Sequence, residues 1–535
     1  MNADLAPSPS APALALLGVA RGDLFWLVLL LVLAGGMRLW QVNNTEVASR
    51  DSVMYIRFAW RLEAEPWPQV VRTGVQHPGY GLLVYAFGTP MRAAFPDDLP
   101  FAMQFAAQLA SALCGLLLVV PMYYLGKELF DRRVGFWGAL LFQCIPSSGR
   151  LMADGLSEPL FLLLASTALL FAVRALGTGR IRWFVLCGLA TGLAYLTRQE
   201  GLLVVLVTLV VLAGLQFSPR WRRSPGKLAA HGACLVVGCA VFAAPFMVLI
   251  GGISLKVSAK HMLDSDGWKM PDEAHDTPRV HHVRSPLPLA KWMFGPSIRP
   301  QDRYLWAARA LAEMVDKAFF HVFLYPALAA LWVFRRRFAE VPGMWVPFVC
   351  GLVLVPLLYK LGQSNGYISE RHAILLLLGG VFWSAAGIGL LAAWVATRTT
   401  RLSGPTLSLA FLLVATGVCL PRTLARLHGN REGFREVGVW MAENTKPGDK
   451  IFDPLTWTSY HAGRVFVEGR EDVPRSDPTV CYVVLEQSKS THDHLSYLMD
   501  PAKKLAARGK VCHRLTVHRG RETAEIQVFR VEGVP

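Results

Sequence analysis

Long apolar runs recur along the chain at residues 24–42, 101–125, 134–151, 160–176, 183–196, 202–217, 229–251, 319–334, 346–361, 374–396 and 406–420. A helix needs roughly 20 such residues to cross a bilayer, so each run is a candidate span, although several are short. The basic connections Lys127/Arg132/Arg133, Arg174/Arg180/Arg182, Arg220/Arg222/Arg223/Lys227, Arg335/Arg336/Arg337 and Arg398/Arg401 fall at every second gap. Loops of that kind stay in the cytoplasm, and they set the register of the crossings. A further apolar stretch, 79–95, would throw all of these loops to the outside if it crossed. It is therefore expected to lie in the interface or to re-enter, with a spanning 79–95 as the alternative.

About eleven transmembrane helices follow from this reading. Residues 1–23 form a cytoplasmic tail and 24–42 a retained signal anchor, which places Asp51 outside. After residue 421 the pattern changes. Residues 434–443 are amphipathic, 450–452, 464–467, 480–485, 511–517 and 524–531 read as short strands, and 492–508 reads as a helix. The expected fold class is an all-α polytopic membrane protein over 24–421, followed by a small C-terminal soluble α/β domain over 422–535 outside the membrane.

Composition agrees with this class. Hydrophobic residues make up 53% and charged residues 17%, with a mean hydropathy of +0.36, against roughly 45–50% and 25% in soluble domains. The net charge of +16 belongs to cytoplasmic loops and lipid headgroups, so membrane lipid is the expected partner and nucleic acid is not. Most of the nine cysteines sit inside apolar runs. Cys481 and Cys512 lie in the tail, where a disulfide is open to them in an oxidising compartment.

The expected outside connections are 43–100, 149–159, 197–201, 252–317, 362–372 and everything after 421. Four of them carry arginine beside a carboxylate at the membrane edge: Arg50/Asp51, Arg150/Asp154/Glu158, Arg198/Glu200 and Glu370/Arg371. The bias of basic residues toward the cytoplasm would not put arginines there, so they ask for an anionic partner. Asp51 and Tyr55 are four apart and share one face of a short helix. Asp51 and Asp154 are the candidate catalytic carboxylates, dividing proton abstraction from a hydroxyl and metal or leaving-group duties. Candidate substrate-binding residues are Tyr55, His77, Tyr80, Arg150, Glu158, Arg198, Glu200, Glu370 and Arg371. Glu158 also suits the cap of the helix that Pro159 begins, and His77 also suits a structural bond to backbone. Arg371 can fork onto a phosphate or snorkel to headgroups. The long loop 252–317 carries His261, Asp264, Asp266, His275, Asp276, His281 and His282 at no standard metal spacing, and it reads as a lid. No metal ligand set is assigned, and a divalent metal stays open as a cofactor.

The order D-S-V-M-Y (51–55), H-P-G-Y (77–80), D-G-L-S-E-P-L-F-L-L (154–163), L-T-R-Q-E-G-L-L (196–203) and E-R-H-A-I-L-L-L-L (370–378) resembles the membrane glycosyltransferases of the GT-C fold. The pattern is similar to protein O-mannosyltransferases and aminoarabinose lipid A transferases. That resemblance implies transfer of a sugar, with inversion, from a polyprenyl-phosphate-sugar donor to a hydroxyl of a glycan, lipid or protein acceptor. It also implies a multi-pass protein of the bacterial inner membrane with its active site on the outer side. By the same resemblance Asp51 matches the first-loop acid, Asp154 the acid of the next outside turn, and Arg371 the phosphate-side arginine. Ser52 stands where many relatives have Glu, and Gly79 where many have a second Pro, which counts against a metal held by a carboxylate pair at the first site. Other readings are a transporter or flippase of a lipid-linked anionic substrate, or a lipid-linked-glycan ligase. A transporter would show internal repeats and charged mid-bilayer helices, neither of which is read here.

Overall fold

The computed structural model describes residues 21–254, 303–365, 368–398, 403–468, 473–474, 479–487, 496–519 and 522–533. The His/Asp-rich segment from His261 to His282 lies outside the described residues, whereas the last part of the 252–317 loop read as a lid is a helix, Arg303–Ala318. The helices in order are α1 (Arg21–Asn43), α2 (Arg50–Ala64), α3 (Trp67–Thr73), α4 (Pro78–Ala94), α5 (Leu99–Leu117), α6 (Val119–Leu129), α7 (Arg132–Cys144), α8 (Pro146–Gly149), α9 (Glu158–Thr178), α10 (Ile181–Thr197), α11 (Leu203–Gly214) and α12 (Pro225–Ile250). After the break come α13 (Arg303–Ala318), α14 (Leu324–Val333), α15 (Arg337–Glu340), α16 (Trp345–Asn365), α17 (Ile374–Ala396), α18 (Gly404–Thr423), α19 (Phe434–Asn444), α20 (Trp457–His461) and α21 (Ser496–Ala506).

The protein is an integral, multi-pass membrane protein. Among the described residues eight helices are long and apolar enough to cross a bilayer, so the expected count of about eleven is not confirmed. The shortfall has local causes. Helix α10 is apolar but only 17 residues long. Helix α7 stops at Cys144 because Ile145 precedes Pro146 and takes an extended conformation. Helix α14 begins only after Phe320 and His321, both at positive φ. Residues 79–95 do form a helix, α4, of 17 residues with Pro90 inside it. Gly79 in its first turn is required by packing: a Cβ there would lie 2.8 Å from the Leu196 carbonyl oxygen and 2.9 Å from Thr197 Oγ1 at the end of α10.

The C-terminal sheet consists of β1 (Lys450–Phe452), β2 (Cys481–Gln487), β3 (Lys510–Arg519) and β4 (Glu522–Val531) in the order β1-β2-β4-β3, parallel only between β1 and β2. The strand expected over 464–467 is instead a 3-10 turn, Arg464–Phe466, entered through Gly463 at φ +74°. Cys481 and Cys512 are both free thiols. They sit on β2 and β3 with β4 between them, about 10 Å apart at the usual strand spacing and beyond disulfide reach.

This domain is fastened to the segment that carries Asp51. Val47 lies in one apolar core with Phe434, Val437, Met441 and Trp457, and Trp457 Nε1 donates to the Ala48 carbonyl at 2.9 Å. A second shared core joins Tyr460, Val465 and Phe466 to Tyr55, Ile56 and Tyr80. Trp60 Nε1 donates to the Phe466 carbonyl at 3.1 Å, and Tyr460 Oη to the Pro100 carbonyl at 2.6 Å. The soluble domain thus sets the position of α2.

Candidate active site

Helix α2 is amphipathic and buries Val53, Tyr55, Ile56, Phe58 and Ala59. Its first turn places Asp51 at the positive end of the helix dipole with the side chain 39% exposed. The 149–158 turn closes against α2 through Gly155, at φ +67°, where a Cβ would lie 2.9 Å from Ser52 Cβ. Any other residue here would be strained by its backbone and would push the turn off α2. Glu158 then opens α9 with its side chain 1% exposed.

Five charged groups from four segments meet at this point. Arg371, in the turn before α17, donates from Nη1 to Asp51 Oδ2 at 2.8 Å and from Nε and Nη2 to Glu158 Oε1 at 2.9 and 2.6 Å. Arg198, just after α10, donates from Nη1 to the same Glu158 Oε1 at 2.8 Å and from Nη2 to Glu200 Oε1 at 3.0 Å. For Arg371, burial works against the charge, but Glu158 and then Asp51 outweigh it and hold the guanidinium more firmly protonated than usual. Burial likewise opposes the Arg198 charge, and Glu200 and Glu158 overcome it. Tyr55 Oη donates to Ser157 Oγ at 2.8 Å. Burial, then the Glu158 charge, raise its phenol above the ordinary value, so it stays a donor.

His372 packs beside this cluster, with Nδ1 accepting from the Ser369 amide at 3.1 Å. Its pKa is lowered to about 4, by burial first and the Arg198 charge next. The fold therefore favours the neutral ring. Its contribution to stability is present above about pH 6.5, the ordinary value, and is lost as pH falls toward about 4. The thermal midpoint of the wild type is expected to fall more between pH 7 and pH 5 than that of His372→Gln. Parallel slopes for the two proteins would remove His372 as the titrating group.

The other sequence candidates make no hydrogen bond with the five charged groups among the described residues. Asp154 is buried, accepts from the Ser49 amide on Oδ1 at 2.9 Å, and holds His428 Nε2 at 2.9 Å from both its oxygens. His428 comes from the link between α18 and the sheet domain and has φ +51°. Arg150 donates from Nη1 to the carbonyls of Arg422 and Ala425, and from Nη2 to that of Arg426, at the end of α18. Burial lowers its guanidinium against the opposing pull of Asp154 and Glu370. His77 Nδ1 lies 2.7 Å from the Tyr195 carbonyl and its Nε2 3.3 Å from Ser254 Oγ. Tyr80 is fully buried, donates to the Ala107 carbonyl at 2.7 Å, and packs edge-on against Tyr55.

No three His, Cys, Asp or Glu residues converge as a metal ligand set among the described residues. The two acids on Arg371, Asp51 and Glu158, are bridged by its guanidinium, so this donor set fits an ion-paired site.

A sequence model of the dolichyl-phosphate-mannose-protein mannosyltransferases matches residues 100–247, which include Asp154, Glu158, Arg198 and Glu200. The oligosaccharyltransferase of Archaeoglobus fulgidus in the apo form is similar in structure, with a TM-score of 0.50 at 15% identity over 82% of this chain and 64% of that one. The chain is also similar to the same archaeon's AglB in complex with an inhibitory peptide and a dolichol-phosphate, with a TM-score of 0.50 at 14% identity over 80% and 59%. The fold is that of the GT-C membrane glycosyltransferases. The chain spans only 59% to 64% of the length of these GT-C structures. No curated protein sequence matches it.

Within the GT-C fold, sequence reasoning missed His428. It stands in an ordinary-looking L-H-G-N turn, and only its left-handed backbone swings it onto Asp154. The pairing of Arg371 with Glu158 was also missed, because 213 residues separate them.

Proposed function

We propose that the protein moves a sugar from a polyprenyl-phosphate-linked donor to a hydroxyl of a glycan, lipid or protein acceptor, with inversion, at the outer face of a bacterial inner membrane. The observation that carries the reading is the Asp51–Arg371–Glu158 bridge, in which one arginine joins an accessible acid to a buried one.

The two halves of that bridge differ in strength. The Arg371–Asp51 pair is 31% and 39% exposed, and pairs of that kind contribute about 0–1 kcal/mol. Glu158 is buried, and breaking its pairs costs about 3–5 kcal/mol. An incoming donor phosphate therefore displaces Asp51 from Arg371 and leaves Glu158 in place. The phosphate gains a charge-assisted fork from Arg371, and the Asp51 carboxylate is released toward the acceptor. Donor binding thus frees the base.

In the transfer step Asp51 accepts the proton of the acceptor hydroxyl as its oxygen bonds to the anomeric carbon. The bond from that carbon to the phosphate oxygen breaks, and the lipid phosphate leaves as an anion held by Arg371. Asp154 acts as a positioning residue, fixing Ser49 and, through it, the start of α2.

The test is transfer by the purified full chain from a panel of synthetic polyprenyl-phosphate sugars, with the anomeric configuration of the product read by NMR. Product of inverted configuration, formed with stoichiometric release of polyprenyl phosphate, is expected. Product of retained configuration would sink direct attack by the acceptor.

A further inference from the structure

At the opposite end of α9 from Glu158, a cavity of about 250 Å³ opens among the ends of α9, α10 and α16. Helix α9 has 21 residues, so this cavity lies about 30 Å from the active-site cluster. Its lining includes Arg174, Arg180 and Arg182, with Glu128 as an acid. Arg174 is already partnered by Glu128 at 3.0 Å and is only 12% exposed. Its guanidinium carbon stands 5.3 Å from the Trp183 ring centre, and that of Arg182 stands 5.0 Å from the same ring. Arg180 and Arg182 are exposed and make no ion pair among the described residues.

Two further features make the cavity positive. Helix α10 starts at Ile181, and the 3-10 turn Pro342–Met344 leads into α16, so two helix N-termini open toward it. Each adds the positive end of a dipole. The carbonyls at the C-terminus of α9 would oppose this, but Arg223 Nη2 donates to the Leu176 carbonyl at 2.7 Å and offsets it. The ends of α9 and α16 belong to helices long and apolar enough to cross a bilayer, and α10 is a shorter apolar helix between the same ends, so the cavity sits at headgroup depth. A plain basic rim, such as exposed Arg335 and Arg336, offers charge but no enclosure.

We propose that this cavity binds a phosphate group at the membrane surface, delivered by the headgroup of an anionic phospholipid. Trp183 and the aliphatic stems of the arginines pack against the glycerol, while Arg180 and Arg182 take the phosphate oxygens. The inference is independent of the sugar-transfer reading and concerns the other side of the bundle.

The experiment is native mass spectrometry of the full chain in detergent, titrated with phosphatidylglycerol or phosphatidylcholine. A parallel arm follows the thermal midpoint with inorganic phosphate in the absence of lipid. The wild type is expected to retain phosphatidylglycerol preferentially. Arg180→Gln/Arg182→Gln is expected to lower that retention roughly 30-fold, in line with about 1 kcal/mol from each of two arginines near a lipid surface. Arg335→Gln/Arg336→Gln, which removes the same charge elsewhere, is expected to leave it unchanged. Stabilisation by inorganic phosphate that disappears in the Arg180/Arg182 variant, without lipid preference, identifies a soluble phosphate source for the same site. Equal losses in the two double variants reduce the effect to general electrostatics and overturn the proposal. So does the absence of both lipid preference and phosphate stabilisation.

Discussion

Glu158→Ala is expected to destabilise the protein by about 3–5 kcal/mol, the usual consequence of removing one partner from a buried ion pair. The reason lies in how many bonds converge on one atom. Glu158 Oε1 accepts three bonds, two from Arg371 and one from Arg198, and the side chain is 1% exposed. Without it, Arg198, itself only 11% exposed, keeps Glu200 as its ion-pair partner among the described residues. Arg371 keeps Asp51, whose exposed pair contributes little. Glu158→Gln preserves the volume and an acceptor oxygen but not the charge, and it is expected to fall between the alanine variant and the wild type. The measurement is the thermal midpoint of the full chain in detergent, supported by denaturant titration of its helical signal. A loss below about 1 kcal/mol for Glu158→Ala would mean that the arginines find other partners and that Glu158 does not hold the cluster.

This convergence is what the linear sequence conceals. Arg50/Asp51, Arg198/Glu200 and Glu370/Arg371 each look like a local pair. Of these only Arg198 and Glu200 pair directly, and Arg371 passes over Glu370 to reach Asp51 across 320 residues. Neighbouring charges in a sequence mark the membrane edge well, because desolvation confines them there. They do not disclose which will meet, since that depends on the packing of helices far apart in the chain. The four-residue spacing of Asp51 and Tyr55 was legible as one helical face, and α2 realises it. The spacing did not show that the two would meet Arg371 and Ser157 separately.

The sheet domain shows the same division. A continuous apolar run at 480–485 and interrupted apolar residues at 511–517 and 524–531 announced β2, β3 and β4. The run R-V-F-V at 464–467 has a similar look, yet Gly463 turns the chain and sends Val465 and Phe466 into the core shared with Tyr55 and Tyr80. The docking of that domain on 46–49 was not legible either, because Val47 and Ala48 read as loop residues until Phe434 and Trp457 are placed over them.

Asp51→Asn is expected to lower the rate of sugar transfer by roughly 100-fold or more, the effect of removing a positioned general base, with the fold intact. The substitution keeps the size of the side chain, and the ion pair it weakens is exposed enough to contribute no more than about 1 kcal/mol. A fall in rate can therefore be assigned to chemistry once the thermal midpoint is shown to be near that of the wild type. The division between constants carries more information than the size of the fall. If Asp51 is displaced from Arg371 by the donor phosphate, Asn at this position competes less for the guanidinium. The KM for the polyprenyl-phosphate sugar should then stay level or drop while kcat collapses. A raised donor KM with kcat preserved would place Asp51 in binding rather than in proton transfer. Turnover equal to the wild type would make Asp51 a structural partner of Arg371, and the base would have to be sought elsewhere around the Arg371 cluster.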